Sequence, residues 1–136
     1  DNRYPWEATF TDFIDKLNNT CEGDGHVVCD SDDICGAGGQ CGLAGYRDWR
    51  MPNIKELQSI VDYDVWYPRP TVDPVFTTGC ISGCTECSCA VPSYYWSSSA
   101  WAGHPYYAWD VNFYYGNVNL NYKFHDYHVR GVRGGS

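Results

Sequence analysis

The chain has 136 residues, a length typical of one domain with one hydrophobic core, so we predict that residues 1–136 form a single domain. Its formal net charge is −8 and it contains no run of Lys or Arg, which argues against a nucleic-acid partner. No apolar stretch approaches the roughly 20 residues that cross a bilayer, so membrane insertion is not expected.

Eight cysteines fall into two groups of four, an even count that is high for a cytosolic protein. We therefore expect disulfides and an extracellular location, on a cell or virion surface or free of it. The sequence does not determine the pairing, and the four thiolates of the second group could instead hold one structural zinc ion. The candidates are Cys21, Cys29, Cys35 and Cys41 in the first group and Cys80, Cys84, Cys87 and Cys89 in the second.

The first predicted element is an amphipathic helix from Thr9 to Asn19, with Thr9 suited to its start. Four apolar residues recur there at the spacing of one helix face, namely Phe10, Phe13, Ile14 and Leu17.

The Gly- and Asp-rich segment that follows, about residues 20–42, has too few apolar residues to form core. We predict an insertion pinned by its cysteines. Its spacing does not fit an EF-hand loop, because Ile34 and Cys35 would occupy positions five and six of a loop that begins at Asp30. A solvated acidic loop is expected, and a calcium site is the alternative.

The second predicted helix runs from Asn53 to Asp62. Asn53 and Glu56 have the spacing of a capping box, and a buried stripe is expected behind them. The stripe comprises Ile54, Leu57, Ile60 and Val61. The proline-rich chain from Tyr63 to Pro92 is predicted to be irregular and to include the second cysteine insertion at about 79–90.

Antiparallel sheet is predicted after Tyr94. Alternating runs at Ala108–Phe113 and Val118–Lys123, separated by a turn at residues 114–117, indicate a hairpin, and Tyr127–Arg133 a third strand. Of the 23 aromatic residues, 13 lie in residues 94–136, mixed with Asn, Ser and Gly as in antibody paratopes. The alternative is that these rings only fill a core. Since strand alternation exposes one face of a half-buried hairpin, we favour a binding surface.

No motif indicates an enzyme, and no cofactor is expected. Ser97, Ser98 and Ser99 do not stand in a Gly-x-Ser-x-Gly elbow, and no phosphate loop, dinucleotide fingerprint or metalloprotease motif is present. Three histidines, His104, His125 and His128, are interspersed with Tyr and Asp, so a metal site there is not expected.

An ordered series of motifs runs from Gly45 to Gly135: GYRDWRMPNIKELQSIVDY, PTVDPVF, YYWSSS, AWDVNF, GNV and VRGVRGG. In these motifs the chain resembles the domain family at the C-terminus of the Legionella collagen-like adhesin. The resemblance implies an α+β, C-type-lectin-like fold in which two helices pack on small antiparallel sheets joined by long irregular loops. The EPN or QPD and WND motifs of calcium-dependent sugar binding are not found, so that activity is not expected.

Similar domains include adhesins and the variable proteins of diversity-generating retroelements, in which mutagenised adenines change Asn-type codons. Such codons do not reach Trp or Lys, and only Trp101, Trp109 and Lys123 break this rule between Trp101 and His128. The resemblance thus implies a binding region at about 94–133 that displays varied side chains. Scaffold roles are implied for Trp96, Ala108, Trp109, Val111, Phe113, Gly116, Val118, Val129 and Arg130. Ligand contact is implied for Trp101, His104, Tyr106, Tyr107, Asp110, Tyr114, Tyr115, Leu120, Tyr122, Phe124, His125, Asp126 and His128.

The expected function is therefore that of a ligand-binding display domain on a phage or viral tail fibre or a microbial surface, as the variable protein of a diversity-generating retroelement. The expected partner is a protein or other macromolecule on another cell or virus, and oligomerisation through upstream regions is compatible with this role. The alternative is an invariant glycan-binding adhesin of the same fold.

Overall fold

A computed structural model describes residues 3–21, 24–29, 34–35, 39–77 and 89–134. The chain divides into two compact units: Asp1–Trp6 with Pro52–Arg130, and Glu7–Met51 with Gly131–Ser136. The prediction that residues 1–136 form one domain stays a prediction.

The first helical run has three consecutive parts: α1 (Trp6–Ala8), a π-helix (Thr9–Ile14) and α2 (Asp15–Asn19). The predicted end at Asn19 is confirmed, but the predicted start at Thr9 is wrong because the helix begins directly after Pro5. Thr9 is buried within the run rather than capping it. The wider π-turn rotates the side chains away from the positions expected at 3.6 residues per turn, and Phe10 is 38% exposed.

Disulfides join Cys21 to Cys35 and Cys29 to Cys41, which confirms the expected disulfides in the first cysteine group. The cystines form a small buried cluster of their own. Four short strands run through this segment: β2 (Thr20–Cys21) pairs with β3 (Asp24–Val28), and β4 (Ile34–Cys35) pairs with β5 (Gly39–Gln40).

In the second cysteine group, Cys89 is disulfide-bonded. Cys80, Cys84 and Cys87 lie outside the described residues, so the zinc alternative for this group stays untested. The same holds for calcium in the acidic loop, since Asp30, Asp32 and Asp33 also lie outside them.

Two motifs far apart in the sequence meet in the second unit. Arg50 and Val132 exchange backbone hydrogen bonds of 2.9 and 2.8 Å. Gly131 packs so closely on Leu17 that an added Cβ would lie 2.7 Å from a methyl group of that side chain. Arg133 pairs with Asp48 at 2.6 Å. The DWR and GVR segments therefore bind to each other directly.

The first unit is built on a five-stranded sheet. Its strands are β1 (Arg3–Tyr4), β6 (Tyr94–Ala100), β7 (Tyr107–Asn112), β8 (Asn117–Tyr122) and β9 (Tyr127–His128). Their order across the sheet is β1-β9-β6-β7-β8. The pairs are antiparallel except β6 with β9, which is parallel.

The predicted hairpin is confirmed as β7 and β8, each beginning and ending one residue earlier than expected. The predicted third strand, Tyr127–Arg133, is wrong beyond His128. The chain leaves the sheet there because Val132 pairs with Arg50 instead of continuing along β6.

Helix α3 (Ile54–Gln58) packs on the sheet around Leu57, Tyr95 and Phe113, all at most 3% exposed. Its predicted start is confirmed, whereas its predicted end at Asp62 is wrong. The chain turns after Gln58 so that Val61 pairs with Val72, while Ile60 and Val61 still pack against the core as expected.

A bulge in β6 at Ser97–Ser99 connects α3 with the sheet. The Ser97 hydroxyl donates to the carbonyl of Trp109 at 2.6 Å, and the Ser99 hydroxyl accepts from the N–H of Ile54 at 3.0 Å. The Ser97 and Ser99 hydroxyls therefore join β6 to β7 and to the start of α3.

We expect Asn53→Ala to lower the free energy of unfolding by about 1 kcal/mol. Asn53 Oδ1 accepts from the N–H of Glu56 at 2.8 Å, and Glu56 Oε1 accepts from the N–H of Asn53 at 3.0 Å. Alanine removes the first bond and weakens the geometry of the second. Urea unfolding measures the change. Lys55→Ala, on the exposed side of the same helix, is the control, and equal stability of the two variants would contradict the capping role.

The fold is α+β, with short helices, a five-stranded sheet and irregular loops. This arrangement is compatible with the C-type-lectin-like fold that the resemblance implies.

Candidate ligand-binding surface

The register of the β7–β8 hairpin places large side chains in pairs on one face. Tyr107 lies opposite Tyr122, Trp109 opposite Leu120, and Val111 opposite Val118. Near the turn this face is covered, since Val111 is fully buried in the core. At the end of the hairpin away from the turn, Tyr122 is 42% exposed. One sheet face therefore passes from core to surface within six residues.

Seven aromatic side chains gather at this exposed end, and we name them the open-end cluster: Trp101, His104, Tyr106, Tyr107, Tyr122, Phe124 and His125. Tyr107 is its centre, with ring centroids 4.4 Å from Tyr122, 5.1 Å from His104 and 5.7 Å from Trp101. The series continues from Tyr122 to Phe124 at 5.1 Å and from Phe124 to His125 at 5.0 Å.

The open-end cluster is accessible to a partner. Phe124 is 70% exposed, Tyr106 67% and Trp101 39%, while Tyr107 and His104 are half-buried beneath them. Exposed apolar rings in contact with one another mark an interaction site more often than scattered single ones do.

Backbone hydrogen bonds hold the two loops that carry the cluster. The N–H of Trp101 donates to the carbonyl of Tyr107 at 3.1 Å, and the N–H of Lys123 donates to the carbonyl of Tyr106 at 2.9 Å. The carbonyl of Lys123 accepts from the N–H of Trp6 at 2.7 Å. The conformation of these loops therefore depends on main-chain atoms that every residue except proline supplies.

Tyr114 and Tyr115 were expected in the same surface, but they lie at the opposite end of the hairpin, in the turn. Five residues of strand separate that turn from the Tyr107–Tyr122 pair, a distance of roughly 17 Å at about 3.3 Å per residue. The structure therefore divides the predicted site into two regions.

A second group of rings comes from this turn and from the segment that contacts it through Tyr63 and Tyr67. We name it the turn cluster: Tyr63, Trp66, Tyr67, Tyr114 and Tyr115. Tyr67 and Tyr114 have ring centroids 5.8 Å apart. Tyr63, Trp66 and Tyr67 were not predicted as site residues, because their segment shows no periodicity and its contact with the turn is long-range. Their aromatic content was the available signal.

The assignment of Asp110 to the ligand-contacting set is corrected by the structure, in which Asp110 is fully buried. It lies opposite Trp96 on the other face of the sheet. Its Oδ2 accepts from Asn121 Nδ2 at 2.6 Å, and its Oδ1 has no hydrogen-bond partner within the described part of the chain. Burial raises the pKa of Asp110 from 3.8 to about 6, and the side-chain amides of Asn121 and Asn119 offset this only in part.

The remaining predicted contact residues divide by exposure. Asp126 is exposed beside the open-end cluster, whereas Leu120 and His128 are half-buried. The His128 ring stacks on Tyr95 at 5.3 Å. Burial, followed by the positive charge of Arg3, lowers the pKa of His128. His128 thus faces the core side of the sheet.

The scaffold set is largely buried. Trp96, Ala108, Val111, Phe113, Gly116 and Val129 are buried, and Trp109, Val118 and Arg130 are half-buried. Gly116 has φ of +81° in the hairpin turn, and an added Cβ would lie 2.6 Å from Val61 and 2.9 Å from the Tyr63 ring. This position needs glycine both for its backbone and for space.

Among the described residues, Cys21, Cys29 and Cys35 are a set whose side-chain atoms lie close enough to share a metal ion, within 4.8 Å. All three are oxidised in disulfides and offer no thiolate.

The exposed rings on a hydrogen-bonded hairpin have the features of a binding or adhesin-type domain. The family comparison agrees, since the model of the Lcl C-terminal domain family matches residues 3–133. The chain belongs to this family, which confirms the resemblance seen in the sequence. Comparison with curated proteins and with solved structures found no match.

The two disulfides indicate an extracellular or secreted domain. In the part of the chain that the structure describes, no helix has the length and apolar character to span a bilayer.

Proposed function

We propose that this domain is displayed on a microbial, phage or viral surface and binds a protein or other macromolecule through the open-end cluster. We further propose that it is the variable protein of a diversity-generating retroelement. The observation that supports both is the continuous set of contacting rings from Trp101 to His125, most of them exposed, on a scaffold held by backbone hydrogen bonds.

The chemistry of the open-end cluster suits recognition of a macromolecule. Tyr and Trp rings offer large contact area at low cost in conformational entropy, because each side chain has two rotatable bonds. Phe124 and Tyr106 would act as the anchors, since they are its most exposed members. The proposed activity is binding without chemical change of the ligand.

The exposed rings are not needed for the backbone bonds that hold their loops, and this supports the variable-protein role. The loop bonds at Trp101, Tyr106 and Lys123 use main-chain atoms, so any new residue other than proline can keep them. Surface substitutions away from caps and buried networks change stability little, by less than about 0.5 kcal/mol. The open-end cluster can therefore change its identity while the fold persists.

A display library tests the binding surface. Randomising Trp101, Tyr106, Tyr122, Phe124 and His125 on phage and selecting against purified lysozyme is expected to give folded binders with micromolar or better affinity. The matched control library randomises five other exposed positions of the same unit: Lys55, Gln58, Ser59, Arg69 and Asp73. Binders at equal frequency in both libraries, or loss of folding across the first, would contradict the proposal.

The source DNA tests the variable-protein role. A near-repeat of the segment that encodes Tyr94 to Gly134, differing only at adenines and adjacent to a reverse-transcriptase gene, is the expected finding. Its absence, together with specific binding of the unaltered domain to one neutral glycan on an array, would instead favour an invariant adhesin.

A further inference from the structure

The turn cluster is the most exposed aromatic surface of the first unit outside the open-end cluster. Trp66 is 74% exposed, Tyr115 73%, Tyr63 63% and Tyr67 62%. These residues come from two segments that the fold brings together. Tyr67 contacts the Tyr114 ring, and the Tyr63 hydroxyl donates to the carbonyl of Gly116 at 3.4 Å.

The turn cluster is supported by ordered backbone. The N–H of Arg69 donates to the carbonyl of Trp66 at 3.1 Å, and the N–H of Val65 donates to the carbonyl of Asp62 at 3.2 Å. Asp62 Oδ1 also accepts from the N–H of Asp64 at 3.0 Å. Tyr63, Trp66 and Tyr67 therefore project from two consecutive turns whose backbone is held by hydrogen bonds.

Charge indicates what this surface accepts. Three carboxylates, Asp62, Asp64 and Asp73, belong to the same paired segment, in which Val61 bridges to Val72, against the single cation Arg69. The chain as a whole carries −8, which disfavours a second copy as the occupant. Tyr and Trp ring faces attract Lys and Arg side chains, and nearby carboxylates add to that attraction.

We propose that the turn cluster is a second binding site, separate from the open-end cluster, and that it binds a cationic peptide segment of a partner protein. Arg or Lys side chains lie over the faces of Trp66 and Tyr115, and Asp64 pairs with a neighbouring charge. The site stands at the other end of the hairpin, so its occupation leaves the open-end cluster accessible.

Fluorescence anisotropy with labelled nonapeptides tests this site in the whole chain. A peptide of alternating Arg and Gly is expected to bind, while peptides with Glu or Ser in place of Arg do not. The double variant Trp66→Ala/Tyr115→Ala is expected to weaken binding about tenfold, because two exposed cation–π contacts are lost. Asp64→Asn is expected to weaken it about threefold.

Matched controls remove the same features elsewhere on the first unit. Tyr106→Ala/Phe124→Ala deletes two equally exposed rings, and Asp126→Asn deletes an exposed carboxylate. Neither is expected to change the affinity for the Arg peptide by more than about 1.5-fold. Equal weakening by these controls would mean non-specific attraction to an acidic chain and would overturn the proposal. Unchanged binding by the Trp66/Tyr115 variant, or equal binding of the Ser peptide, would also overturn it.

Discussion

Replacing Asp110 by asparagine is expected to stabilise the domain progressively, relative to the unaltered chain, as the pH rises from 4 to 7. The difference between the two free energies of unfolding should change by roughly 2.5 kcal/mol over that interval, since the pKa of Asp110 in the folded state is about 6 against an ordinary value of 3.8. Urea titrations at pH 4, 5, 6 and 7 measure this difference.

The sign follows from proton binding. The folded state binds a proton at Asp110 more tightly than the unfolded state does, so the unaltered protein loses stability as the pH rises through 4 to 6. Asparagine cannot ionise and removes this loss. It also places an amide where Oδ1 has no partner among the described residues, a cost of about 1–3 kcal/mol that does not depend on pH.

His128 has the opposite effect on the pH dependence of stability. Because both proteins contain His128, this effect cancels in the difference between their free energies of unfolding. The lowered pKa of His128 means that the folded state resists its protonation, so the protein loses stability as the pH falls through 6.5. Asp126→Asn, at an exposed position, is the control and should change the free energy of unfolding by less than about 0.5 kcal/mol at each of the four pH values. A pH-independent difference for Asp110→Asn would contradict the buried carboxylate.

Replacing Trp96 by alanine is expected to lower the free energy of unfolding by about 3–5 kcal/mol, close to the whole stability of a small domain. Trp96 is fully buried and packs on Tyr127, with ring centroids 4.7 Å apart. Its Nε1 donates to the carbonyls of Tyr4 at 3.0 Å and His125 at 3.3 Å. The loss should therefore reach the loop that carries Phe124 and His125.

Two further variants are compared with Trp96→Ala. One separates the contribution of packing from that of hydrogen bonding, and the other compares a buried scaffold residue with an exposed residue of the binding surface. Trp96→Phe keeps a ring but removes the N–H, and a smaller loss is expected because most of the packing remains. Phe124→Ala deletes a ring of similar size that is 70% exposed, and it should cost less than about 0.5 kcal/mol. Similar losses in the free energy of unfolding from Trp96→Ala and Phe124→Ala, measured with urea, would contradict the division into buried scaffold residues and exposed ligand-binding residues.

Features set by neighbouring residues were predictable from the sequence. The Asn53–Glu56 capping box depends on residues three apart, and it starts α3 where expected. The β7–β8 hairpin was predicted from its alternation and its Gly116 turn. In both cases one segment of chain contains all the information.

Features that depend on distant packing were not predictable in this way. Strand β6 buries Tyr95, Trp96 and Ser97 in succession, so it lacks the alternation that identifies a strand with one exposed face. Asp110 is a similar case: its position in the alternation is on the face away from the core, yet both Asp110 and its cross-strand neighbour Trp96 are fully buried. The end of the predicted third strand was wrong because Val132 pairs with Arg50, a residue far away in the sequence.

The candidate site was predicted in composition but not in arrangement. The aromatic residues of the last third do form an exposed group, as expected of a paratope-like composition. Sequence order, however, runs Trp101, Tyr114, Phe124, whereas the hairpin turns Tyr114 away to the far end. A linear list cannot show that separation, because it arises from the reversal of the chain at residues 113–116.

The pairing of Tyr107 with Tyr122 has a consequence for any change at the open-end cluster. Their rings touch across the strands at 4.4 Å, so the residue accommodated at one position depends on the size of the other. Substitutions at the two positions should be non-additive, with coupling energies of about 0.5–3 kcal/mol in a double-mutant cycle. The surface would then acquire new specificities by compatible combinations of residues across neighbouring strands rather than one residue at a time.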